Sequence, residues 1–261
     1  MVYALLSPAK TMQFEAGLDL LEHATPHFQK EAMQLVKVLQ GYDEKGLMKL
    51  MGISAPLAKL NADRFKDFVA KPGVKATQAP AILAYRGDVY QGLAATDLTE
   101  KQLEVAHKHL GIISGLYGLL QPLDLIQPYR LEMSTTVSSP KFKNLYAFWG
   151  DAITDRVNEL AKKAKAKAVI GLASQEYQKA VDKNKLDLPF IHCDFKEEKA
   201  GKFATVGLFA KQARGLMARY IVTQKITNPD DLKKFAESGY TFHKSLSDDS
   251  NIVFTRKASK K

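Results

Sequence analysis

Apolar and polar positions along the chain change period several times, and those changes mark its elements. Val2 to Leu6 is a β-type apolar run that Ser7-Pro8 ends, which predicts a first strand. Residues 28–40 repeat apolar positions at helical spacing and stop at Gly41, so a helix is expected there. Two shorter helices are expected over 43–51 and 55–68, joined by Gly52-Ile53-Ser54. Ala81 to Tyr85, between Pro80 and Arg86-Gly87-Asp88, reads as a second strand. A helix over 99–110 leads to a short buried strand, Ile112-Ile113-Ser114, after which Gly115, Gly118, Pro122 and Pro128 predict a structured apolar loop. Residues 144–165 form the longest expected helix, followed by a strand at Ala168 to Leu172 and a short helix beyond Ser174. Phe190 to Phe195 and Phe203 to Phe209 should pair as antiparallel strands around a charged turn. Helices over 212–225 and 229–236 and strands at Tyr240 to His243 and Ile252 to Phe254 complete the pattern. The fold class expected is α/β, a mixed sheet with surrounding helices.

Composition narrows this picture. At 261 residues the chain suffices for one large domain or two small ones, and 46% hydrophobic with 25% charged residues is ordinary for a globular protein. The first ten residues lack the basic region and cleavage site of a secretory signal, and no apolar stretch approaches the roughly 20 residues that span a bilayer, so a cytoplasmic protein without a membrane partner is expected. Cys193 is the only cysteine, which excludes an intramolecular disulfide and a thiolate metal cluster. Net charge is +10, unevenly spread: residues 1–130 hold 14 basic against 13 acidic side chains, residues 131–261 hold 24 against 15. A one-sided surplus points to a phosphate-bearing polyanion, although lysines such as Lys162, Lys163, Lys165 and Lys167 equally suit a solvated surface.

Three constellations bear on chemistry. Four expected strand ends run into polar turns: Ser7 with Lys10, Arg86-Gly87-Asp88, Ser114-Gly115, and Ser174-Gln175-Glu176-Tyr177. At the carboxyl edge of a parallel sheet such ends meet in one crevice, and their hydroxyls, backbone N–H groups and cations suit phosphate, although serine and glycine are also ordinary cap and turn residues. Second, Leu47 to Ala58 follows a helix-hairpin-helix pattern within 43–68, in which Gly52, Ile53 and Ser54 present backbone N–H groups to a DNA phosphate and Lys59 and Arg64 follow on the second helix. Ser54 stands where that pattern has a second glycine. Third, Lys211 and Arg214 should face together on a basic helix that also carries Arg219. Tyr85, Tyr90, Tyr117, Tyr129, Trp149 and Tyr177 lie in or near these segments and suit either base stacking or the core. His192-Cys193-Asp194 lies in a strand pattern that turns neighbours to opposite faces, so no compact catalytic triad is expected. His107 and His109 are two apart on a helix and make no metal site. No Walker A or Gly-x-Gly-x-x-Gly sequence occurs, and neither a metal nor a cofactor is expected.

Taken in order, Ser7-Pro8-Ala9-Lys10-Thr11, Arg86-Gly87-Asp88-Val89-Tyr90, Ser114-Gly115-Leu116-Tyr117-Gly118, Gln127 to Met133, Phe148-Trp149-Gly150, Ala173 to Tyr177 and Lys211 to Met217 resemble the bacterial YaaA family of peroxide-stress proteins across essentially the whole chain. The resemblance implies a single α/β domain of unusual topology, with a basic cleft and a helix-hairpin-helix falling on 47–58. It also implies DNA binding and a role in limiting iron-driven damage under hydrogen peroxide. The expectation is a protein that binds duplex or distorted duplex DNA without sequence specificity. Phosphates would be held at Gly52, Ile53, Ser54, Lys59 and Arg64, and in the cleft by Lys10, Arg86, Arg130, Lys211 and Arg214, with Ser7, Ser114, Tyr117, Trp149, Ser174 and Tyr177 around them. The alternative is an enzyme acting on a nucleotide or a base flipped from DNA, with Asp88 or Glu176 as general base. A monomer is expected.

Overall fold

The computed structural model describes residues 1–14, 24–70 and 77–258. Its central sheet runs in the order Thr241–Phe242, Asn251–Lys257, Phe190–Lys199, Val169–Gly171, Tyr3–Leu6, Leu110–Ser114 and Gly118–Leu120, with Lys202–Ala204 pairing beside Phe190–Lys199. The five strands from Asn251–Lys257 to Leu110–Ser114 are mutually parallel. Thr241–Phe242, Gly118–Leu120 and Lys202–Ala204 are antiparallel, so the sheet is mixed. Tyr3–Leu6 is wholly buried, as the middle of a parallel sheet covered on both faces requires, and that is why its sequence shows no alternation.

Helices Gln29–Leu39, Glu44–Met51, Ala55–Asp67 and Glu100–His109 lie within two residues of their expected bounds. The last begins with a reciprocal cap: Gln102 N donates to Thr99 Oγ1 and Thr99 N donates to Gln102 Oε1. Other expectations fail. Ala81–Ala84 is a helical turn rather than a sheet strand, and a two-residue strand, Tyr85–Arg86, separates it from the helix Asp88–Leu93. Burial on all sides gives helix and strand the same uniformly apolar text over so short a run. The long helix over 144–165 is two, Leu145–Trp149 and Ala152–Lys163, because Gly150 at φ +48° breaks it. Lys202–Ala204 stops early, and the helix Gly207–Thr223 takes over the residues expected to continue the strand. The loop after Ser114 folds back as the strand Gly118–Leu120. Tyr240 to His243 is reduced to Thr241–Phe242, and 229–236 to a 3-10 turn, Pro229–Lys234. Among the described residues no helix is long and apolar enough to cross a membrane.

Asp124 sits 3% exposed in a turn, where its carboxylate accepts from Gln121 N at 2.8 Å. Burial outweighs that bond and the nearby Arg156, raising its pKa to about 7. Because the folded pKa lies above the unfolded value near 3.9, the native state holds the extra proton, and stability falls as pH rises through about 4 to 7. Asp124→Asn is therefore expected to match the wild type near pH 4 and exceed it near pH 8 by up to about 4 kcal/mol. Urea midpoints at the two pH values check this, and a gap that does not widen with pH would show that Asp124 does not carry the penalty.

Candidate functional site

The site opens where Tyr3–Leu6 and Val169–Gly171 end side by side. Leu172 N donates to the Leu5 carbonyl at 3.0 Å, and Ser174 N donates to Ser7 Oγ at 2.8 Å, so the two departing loops are tied across the gap. Tyr90 Oη donates to the Ser7 carbonyl at 3.0 Å from the helix Asp88–Leu93. A cavity of about 440 Å³ opens at these ends. Ser7, Lys10, Ser174, Glu176 and Tyr177 line it from the strand ends, and Arg86, Asp88 and Tyr90 from the neighbouring turn. Tyr129, Arg130 and Glu132 add a wall, and Lys211 and Arg214 reach in from Gly207–Thr223.

Three expected cleft residues lie behind this lining. Ser114, Tyr117 and Trp149 are buried at 0%, 0% and 2% exposure, and each has an internal partner. Ser114 Oγ is hydrogen-bonded to Tyr129 Oη at 2.6 Å and accepts from Leu116 N and Tyr117 N. Tyr117 Oη accepts from Gln127 N, and Trp149 Nε1 donates to the Gly115 carbonyl. These groups support the wall and do not touch a ligand in the cavity. Arg219 is likewise structural, donating to the Leu93 and Ala94 carbonyls that end the helix Asp88–Leu93.

The cations of the cleft differ in how firmly they are held. Glu132 Oε1 takes both Lys10 Nζ at 3.2 Å and Arg130 Nη2 at 2.9 Å. Arg86 donates through Nη1 to the Leu83 and Tyr85 carbonyls and through Nε to Gln13 Oε1. Lys211 and Arg214 have no hydrogen-bond or ion-pair partner among the described residues, and Arg214 Nε is fully enclosed. Burial holds the Arg214 pKa below its ordinary value, opposed by Asp194 nearby. The carboxylates divide the same way: Glu176 Oε1 accepts from Ser134 N and Ser134 Oγ, while Asp88 has no polar partner among the described residues.

The hairpin borders this cleft. Gly52 ends the helix Glu44–Met51 in the left-handed conformation, φ +60°, where a side chain would be strained. Ser54 is extended at φ −68°, so the chain does not require the glycine of the helix-hairpin-helix pattern there. Leu50, Met51 and Gly52 line a second cavity of about 330 Å³ that shares Lys10, Glu132 and Glu176 with the first. Ile53 is nearly buried, and Ser54 and Lys59 are exposed, Lys59 pairing with Asp63. Arg64 lies close enough to Arg130 that the like charge, after burial, lowers its pKa. Cys193 is buried on its strand, and burial raises its thiol to about 12, so it is no thiolate nucleophile at neutral pH.

Sequence reading missed Glu132, which pairs with two of the five cleft cations, and missed the glycines that seat the basic helix. A Cβ at Gly215 would lie 1.8 Å from the Val89 carbonyl oxygen, and one at Gly92 would lie 2.1 Å from that of Gln212. Gly92 and Gly215 each sit inside a run otherwise suited to helix, and an interior helical glycine is a usable signal of close approach.

Comparison with known proteins agrees across the chain. The profile of a family described as peroxide stress protein YaaA matches residues 2–246. A UPF0246 protein of Saccharophagus degradans is 44% identical over 253 residues, covering 97% of this chain and 98% of its own length. UPF0246 proteins of Methylibium petroleiphilum and Hahella chejuensis are 42% identical over 253 and 252 residues, with the same coverage.

Proposed function

This chain belongs to the peroxide stress protein YaaA family, and from that premise we propose that it acts in the peroxide response by binding DNA through the phosphate backbone, without sequence specificity, and so limits iron-driven damage. The observation that carries the reading is that Lys10, Arg86, Arg130, Lys211 and Arg214, drawn from distant parts of the sequence, line one cavity. Against them stand Asp88, Glu132 and Glu176, leaving the cavity lining at 5 − 3 = +2. The hairpin turn at Gly52, joined to the cleft through Lys10, gives a second point of phosphate contact, with Arg64 beside Arg130 between them.

Neutralised phosphates release counterions, so affinity for duplex or gapped DNA is expected to fall by about a hundredfold between roughly 50 and 200 mM salt. Fluorescence anisotropy with labelled oligonucleotides of unrelated sequence measures it. Absence of binding at the lowest salt, or binding that ignores salt, defeats the proposal. A second reading, chemistry on a nucleotide or flipped base, draws on Asp88, which lines the cavity without a polar partner among the described residues and so is the freer general base than Glu176.

A further inference from the structure

We propose that the Arg214 end of the cleft is a receptor for one phosphomonoester, the terminal phosphate of a nucleotide. The inference rests on the reading that the cleft takes phosphate, and it narrows the task of Arg214 and Lys211 within that cleft to holding one terminal phosphate.

Lys10 and Arg130 already share Glu132, and Arg86 is spent on backbone carbonyls and Gln13. Arg214 and Lys211 are the cleft cations with no partner among the described residues. Arg214 is partly buried and its Nε is enclosed without an acceptor. Holding a guanidinium out of water unpaired is costly, and an anion entering the cavity relieves that cost. Asp194 lies near enough to favour the charge, yet makes no bond to it: its carboxylate takes Lys196 at 3.4 Å and Phe195 N at 3.0 Å.

Charge selects the class of anion. Lys211 precedes Arg214 by three residues, one turn of the same helix, and lines the same cavity. Two cations without partners among the described residues match a phosphomonoester, which carries between one and two negative charges at neutral pH, better than a backbone diester, which carries one. The guanidinium fork suits two oxygens of one phosphate, and Ser7 Oγ, an acceptor for Ser174 N, keeps its own proton to donate. Size agrees: about 440 Å³ lies in the range of small-ligand pockets. Tyr90, Tyr129 and Tyr177 wall the cavity, and Asp88, without a polar partner among the described residues, can accept from an exocyclic amine of a base.

Calorimetric titration with deoxyadenosine 5′-monophosphate and with deoxyadenosine tests the assignment. The nucleotide should bind at least about tenfold more tightly, and Arg214→Gln and Lys211→Gln should each erase most of that preference. Lys211 is exposed, so its variant decides the matter if Arg214→Gln does not fold. Equal affinities, or a preference that survives Lys211→Gln, overturn the proposal. Duplexes ending in 5′-phosphate and in 5′-hydroxyl separate the sources: a preference for the phosphorylated end places DNA ends in the site, and a preference limited to the free nucleotide places a metabolite there. Loss of all binding to the 5′-hydroxyl duplex, with the nucleotide preference intact, would defeat the DNA reading and leave this one standing.

Discussion

Gly215→Ala is expected to destabilise the protein by about 3 kcal/mol or more and to abolish anion binding in the cleft. The added carbon would stand 1.8 Å from the Val89 carbonyl oxygen and 2.8 Å from Leu93 N, and these are backbone atoms that no rotamer change can move aside. Val89 and Leu93 belong to the helix that starts at Asp88, so relieving the clash means lifting Gly207–Thr223 away from it. That motion would carry Lys211 and Arg214 out of the cavity and break the Arg219 bonds to the Leu93 and Ala94 carbonyls. Gly207→Ala, in the same helix with nothing within 4 Å of the new atom, is the control and should be near neutral. Urea unfolding followed by circular dichroism reports both. Equal midpoints for the two variants would show that the helices part without cost.

That contact explains why the site was only partly legible in the sequence. Ser7 and Ser174 were readable because each follows a short apolar run and ends a parallel strand, a position where topology alone makes side chains converge. Arg86 was found for the wrong reason: Ala81–Ala84 is a helical turn, and Arg86 reaches the cavity from a two-residue strand paired with Thr11–Met12. Ser114, Tyr117 and Trp149 sat in the right segments, but burial turned them inward, and no periodicity in a glycine-rich stretch reveals which side faces the cavity. Ion-pair choice is equally invisible. Lys10 and Arg130 lie 120 residues apart and are joined only through Glu132, so counting cations overstated what the cleft has free for a ligand.

Tyr129→Phe should cost about 3 kcal/mol, although it removes a single oxygen, because that oxygen is the centre of a buried chain. Tyr85 Oη lies 2.5 Å from Tyr129 Oη, which lies 2.6 Å from Ser114 Oγ, and the three residues are at most 3% exposed. Ser114 Oγ already accepts two N–H groups, so its own proton goes to Tyr129. Burial raises the Tyr129 pKa to about 12, with the bonds from Ser114 and Tyr85 holding it down, and the chain is neutral at physiological pH. Deleting the middle hydroxyl orphans both neighbours, at about 1–3 kcal/mol each. Tyr85→Phe removes an end of the chain and should cost about 1 kcal/mol. In the double variant one orphan disappears, so its cost should fall below the sum of the singles by about 1 kcal/mol or more, measurable as a coupling in a double-mutant cycle. Strict additivity would show that the hydroxyls act independently. The coupling matters for the site because Tyr129 lines the cavity and fixes the backbone at Arg130, so Tyr129→Phe should also loosen the Arg130–Glu132 pair and shift the salt dependence of anion binding, which Tyr85→Phe should leave in place.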